Sequence, residues 1–119
     1  MVENVKDTIR FYQEVLEFDL VDQVTNNDGQ IDWAFVKKDE VTIMLQERTN
    51  LIGEYTILDI DRVRPSLSLF IFVDNIYELF DLVKDKCQVL KEIKVTSYGI
   101  NEFAIADNNG YVLTFAEFK

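Results

Sequence analysis

Residues 99–117 read GINEFAIADNNGYVLTFAE, two apolar runs on either side of a polar DNNG turn, which is the pattern of a β-hairpin. A similar pattern occurs earlier in the chain. Trp33-Ala34-Phe35-Val36 lies over Phe103-Ala104-Ile105-Ala106, and Val41 to Glu47 lies over Tyr111 to Glu117, both at a separation of 70 residues. The joining turns are Lys37-Lys38-Asp39-Glu40 in the first copy and Asp107-Asn108-Asn109-Gly110 in the second.

Working outward, the segments before each hairpin repeat as well. Val5, Ile9, Tyr12 and Leu16 fall at helical spacing behind Asn4, with Asp7 at the capping-box position, so residues 5–17 form an amphipathic helix. Ile76, Phe80, Val83 and Cys87 repeat that spacing 71 residues later behind Asn75, with Glu78 in the capping position, placing a second helix at about 75–87. Further strands are expected at 18–24, 66–73 and 89–95. Residues 48–65 connect the halves, with ordered structure expected around Tyr55 to Ile60 whose type the sequence leaves open.

Composition limits the chemistry. The 119 residues are 48% hydrophobic with one Pro and four Gly, suited to one packed domain. Twelve Lys and Arg against 22 Asp and Glu leave a net charge of −10, which opposes nucleic acids and anionic lipid surfaces. There is no His and one Cys, so imidazole and thiolate metal sites, Ser-His or Cys-His pairs and internal disulfides are excluded. The charged first twenty residues lack the apolar core of a signal peptide, and no run approaches membrane-spanning length, so a cytoplasmic location is expected.

The phrase TIRFYQEVLEFDLV at 8–21, the duplication and the closing GINEFAIADNNGYVLTFAE together resemble the vicinal oxygen chelate superfamily of glyoxalases, bleomycin-resistance proteins and dioxygenases. The resemblance implies an α+β fold of two tandem βαβββ modules, here about 1–47 and 66–119 within a single domain spanning 1–119. The first strand is largely missing: the counterpart of 66–73 falls before Met1, and only Met1 to Glu3 remain. Either the chain starts short of its natural beginning, or about seven core strands leave an exposed edge. Small members dimerise, so a homodimer is expected.

Strand alternation separates two faces. Val41, Ile43, Leu45, Leu67, Leu69, Ile71, Val73, Leu113 and Phe115 belong under the helices, leaving Met44, Ser68, Phe70, Phe72 and Thr114 to line a binding cavity. By the same reading Trp33, Phe35, Phe103 and Ile105 pack inward, while Asp32, Ala34, Glu102 and Ala104 face the cavity. Cys87, on the apolar stripe of the second helix, reads as an inert core thiol.

The resemblance places metal-ligand positions on Met44, Ser68 and Thr114, with the fourth absent. A thioether and two hydroxyls hold divalent ions poorly, so no metal and no cofactor is expected. The nearest likeness is then to the metal-free bleomycin-resistance branch, whose aromatic binding positions fall on Trp33, Phe70 and Tyr98. This implies a small-molecule-binding protein that sequesters a cationic aromatic antibiotic, with Glu102 or Asp32 as counter-ion. The alternatives are a cofactor-independent lyase or isomerase using Glu102 as acid or base, a metal-dependent glyoxalase-like enzyme with unusual ligands, and a relative that binds nothing.

Overall fold

The computed structural model describes residues 1–118, which form two compact units, one from Met1 to Arg64 and one from Pro65 onward. Helix α1 (Val5–Glu14) opens the first unit, followed by the antiparallel strands β1 (Asp19–Thr25), β2 (Ile31–Lys38) and β3 (Val41–Gln46) in the order β1-β2-β3. Asn4 caps α1, its side-chain oxygen accepting from the Asp7 amide at 2.9 Å. Val5 and Ile9 of the helix pack with Val2, Ala34, Val36 and Leu45 into a buried core, with Phe18, Ile31 and Ile43 at its margin.

The residues before α1 contribute a single bridge. Val2 pairs in parallel with Glu47, its amide donating to the Gln46 carbonyl at 2.9 Å while its carbonyl accepts from the Arg48 amide at 2.9 Å. The connecting segment forms the short helix α2 (Arg48–Glu54) and a 3₁₀ turn at Thr56–Leu58. Arg48 holds it down, donating to the Ile60 carbonyl at 3.0 Å and pairing with Glu3 at 3.3 Å.

In the second unit, β4 (Ser68–Phe72) is followed by helix α3 (Ile76–Val83) and then by β5 (Gln88–Val95), β6 (Ile100–Ala106) and β7 (Val112–Phe118); β4 runs parallel to β7, and the sheet order is β4-β7-β6-β5. Phe80 of α3 meets Phe103 edge-on at 5.1 Å, and Phe103 stacks with Phe115 at 5.1 Å, while Ile76, Val83, Ile105 and Leu113 are fully buried beside them. Asn75 does not cap α3. It sits in the left-handed region at φ 59°, and the Glu117 carboxylate accepts from the Asn75 and Ile76 amides instead, both at 3.0 Å.

The two hairpins differ by one residue in register, and that corrects the expected faces of β2. In the second unit Phe103 stands opposite Phe115 across a five-residue loop. Asp107 organises that loop by accepting from the Asn109 and Tyr111 amides at 2.8 and 3.0 Å. Gly110 is required there: its φ is 90°, and a Cβ would lie 2.7 Å from Pro65. In the first unit the loop is only Asp39 and Glu40, and Leu45 stands opposite Ala34. The repeat is therefore 70 residues at β3 but 69 at β2. Ala34 and Val36 face the helix, while Trp33 and Phe35 are on the opposite face, their rings 5.3 Å apart. Ala34→Glu should therefore bury an unpaired charge and cost at least ~3 kcal/mol in urea unfolding; a loss below ~1 kcal/mol would show that Ala34 lies on an open face.

Candidate functional site

The register of the second sheet sorts its side chains into two sets. Phe103, Ile105, Leu113 and Phe115 lie against α3. Ser68, Phe70, Phe72, Ala104, Glu102, Thr114 and Ala116 share the other face, as strand alternation leads one to expect. Phe70 and Phe72 are more than half exposed and meet edge-on at 5.4 Å, and Phe72 stacks on Phe118 at 4.8 Å. Three aromatic rings thus lie open along one side of a floor made by Ala104, Ala116 and Thr114.

Glu102 lies on that floor and is 4% exposed. Its carboxylate accepts from Lys91 Nζ at 2.8 Å and from the Tyr98 hydroxyl at 3.2 Å. The Lys91 hydrogen bond, aided by Tyr98 and by the charges of Lys91 and Lys94, holds its carboxyl below the ordinary value even though burial acts the other way. The same bond raises the Lys91 pKa. An acid so stabilised in its charged form is a poor proton acceptor near neutral pH, and its charge is already matched. Both features weigh against Glu102 as a base and as a counter-ion for an incoming cation.

The remaining residues expected at a site are divided. Met44, half exposed, stands opposite Phe35 on the face of the first sheet away from α1, with Trp33 and Gln46 beside it. The expectation that Trp33 and Phe35 pack under the helix fails because the two-residue turn sets the other register. Ala34, expected toward a cavity, is fully buried. Asp32 belongs instead to a polar cleft of about 380 Å³ at the start of α1, shared with Glu3, Lys6 and Glu47, and accepts from Asn26 Nδ2 at 3.1 Å. Cys87 donates its thiol hydrogen to the Val83 carbonyl at 3.3 Å, and burial pushes its pKa up, which disfavours the thiolate.

Lys91, Lys94 and Phe118 escaped the sequence reading. Phe118 follows Thr114 and Ala116 by simple alternation and was readable. The lysines were not, because β5 pairs with β6 through register shifts between Val89 and Lys91 and between Lys91 and Lys94.

Met44, Ser68 and Thr114, the positions that the resemblance implies as metal ligands, supply a thioether and two neutral hydroxyls, which offer a divalent ion neither charge nor strong ligand basicity. Among the described residues, no three His, Cys, Asp or Glu side chains are gathered so as to hold one. Nor, among these residues, is any helix long and apolar enough to cross a membrane.

The Glyoxalase/Bleomycin resistance protein/Dioxygenase superfamily model matches residues 1–115. No curated protein matches the sequence. Among solved structures, a protein of unknown function from Agrobacterium tumefaciens superposes with a TM-score of 0.77 at 14% identity, covering 100% of this chain and 89% of that one. A glyoxalase-related enzyme from Fulvimarina pelagi gives 0.75 at 19% identity, covering 98% of this chain and 81% of that one. TioX from Micromonospora sp. ML1 gives 0.73 at 13%, covering 100% and 98%. At these identities the likeness is one of fold.

The Glu102 pairing has a pH signature. Because its folded pKa is depressed, its contribution to stability is complete above the ordinary value of 4.5 and is lost as pH falls below that through the folded value. Lys91, raised above 10.5, loses its contribution as pH climbs through the folded value. Thermal unfolding of Glu102→Gln should therefore fall less steeply than wild type on acidification below pH 4.5; parallel curves would show that the pairing does not stabilise the fold.

Proposed function

Since the chain belongs to the Glyoxalase/Bleomycin resistance protein/Dioxygenase superfamily, we propose that it binds a small aromatic molecule without a metal, on the face of the second sheet that carries Phe70 and Phe72. The observation that carries this reading is the open aromatic row beside a floor of small side chains. Exposed rings in a contiguous patch lose water-contacting area when another flat apolar surface covers them, and the small residues allow that surface to approach the sheet. The weak donors at the family's metal positions support binding without an ion.

Sequestration of a cationic aromatic antibiotic, the bleomycin-type role, is favoured by one observation, the net charge of −10, which concentrates cations near the protein. Catalysis through Glu102 has less support, because Lys91 and Tyr98 keep that carboxylate ionised. The exposed apolar side chains Val21, Val41 and Met44 of the first unit, and Leu69 and Phe118 of the second, favour assembly as a homodimer.

Calorimetric titration with bleomycin and with uncharged planar aromatics, repeated in the presence of a chelator, tests the reading. Binding should survive chelation and weaken about tenfold with Phe70→Ala and again with Phe72→Ala. Binding that requires an added divalent ion, or that ignores both substitutions, would overturn it.

A further inference from the structure

The register lays the side chains of the aromatic face in two rows across the second sheet. One runs Phe70, Thr114, Ala104, Lys91; the next runs Phe72, Ala116, Glu102, Lys94. Each begins with a ring on β4, crosses two positions on the central strands and ends with a lysine on β5. Strands lie ~4.8 Å apart, so the rings and the lysines are anchored ~14 Å from each other. Their side chains overhang a floor in which Ala104 and Ala116 are buried, leaving a span of about one fused ring system and a short substituent.

Charge along these rows is uneven. Two lysines face one carboxylate. Glu102 takes a single hydrogen bond from Lys91, leaving that ammonium two further donors, and Lys94 forms no ion pair with a described residue. The other carboxylates of the sheet are directed elsewhere: Glu117 caps α3, and Glu92 lies near enough to Lys84, at the end of α3, to favour its charge. The lysine end therefore carries a local excess of one positive charge in a chain whose total is −10. At the distance of direct contact the local excess decides, because charges beyond ~8 Å are largely screened at physiological ionic strength.

We propose that the ligand of this face is an aromatic carboxylate, its ring laid on Phe70 and Phe72 and its carboxylate turned to Lys91 and Lys94. Glu102 acts as a positioning residue, holding the Lys91 ammonium and the Tyr98 hydroxyl at the end of the floor. This rests on the reading that the face binds aromatic molecules and specifies an anionic head group, in place of the cationic one that the net charge of −10 alone would favour.

Three naphthalene probes with one ring system and different heads separate the two claims: 2-naphthoate, 2-naphthylmethylammonium and 2-naphthylmethanol, titrated calorimetrically at physiological ionic strength. The naphthoate should bind about tenfold more tightly than the ammonium probe. Lys94→Met should weaken naphthoate about fivefold and leave the alcohol unchanged. Since Lys91→Met alone would leave Glu102 buried without its partner, the second variant is the double substitution Lys91→Met/Glu102→Gln, which keeps the floor neutral and should also reduce the preference for naphthoate. If all three probes bind alike, or the ammonium binds best, the head-group assignment is overturned while the aromatic reading stands. If none binds, the aromatic reading itself fails, and this proposal with it.

Discussion

The structure depends on which side chains of each hairpin are pressed against a helix. Ala34 opposite Leu45 in the first unit, and Phe103 opposite Phe115 in the second, commit one face of each sheet to the core. Because side chains alternate along a strand, everything on the other face follows from those pairings. Trp33, Phe35 and Met44 are turned away from α1 for the same reason that Glu102, Thr114 and Phe70 are turned away from α3.

That constraint gives the two copies different outward faces. In the second unit it exposes rings beside small side chains and draws Lys91, Tyr98 and Glu102 into one hydrogen-bonded group. In the first unit the shorter turn shifts β2 by one position, bringing Trp33 and Phe35 out and taking Asp32 to the cleft at the start of α1. The copies also cap their helices differently. Asn4 caps α1 directly, whereas Glu117 reaches from β7 to the amides of α3. The corresponding glutamate of the first copy, Glu47, caps α2 by accepting from the Asn50 amide at 2.8 Å.

A family likeness does not settle what the outward face does. Met44, Ser68 and Thr114, the positions that the resemblance implies as metal ligands, carry no charge, and the buried acid on the face is held by a lysine and a tyrosine. The outward face of the second sheet offers open rings, a floor of small side chains and the Lys94 ammonium, which forms no ion pair with a described residue.

The sequence alone determined the duplication, helices α1 and α3, the hairpins and the outward set Ser68, Phe70, Phe72 and Thr114, because helical spacing and strand alternation are local periodicities written directly in residue order. It also excluded imidazole chemistry and internal disulfides by composition. Tertiary structure decided what local period cannot: the two-residue turn that reversed β2, the bulged pairing that brought Lys91 to Glu102, and the Glu117 cap on α3. Each joins residues through a register or a contact across the fold, where a one-residue difference reverses a face without changing the pattern of either strand.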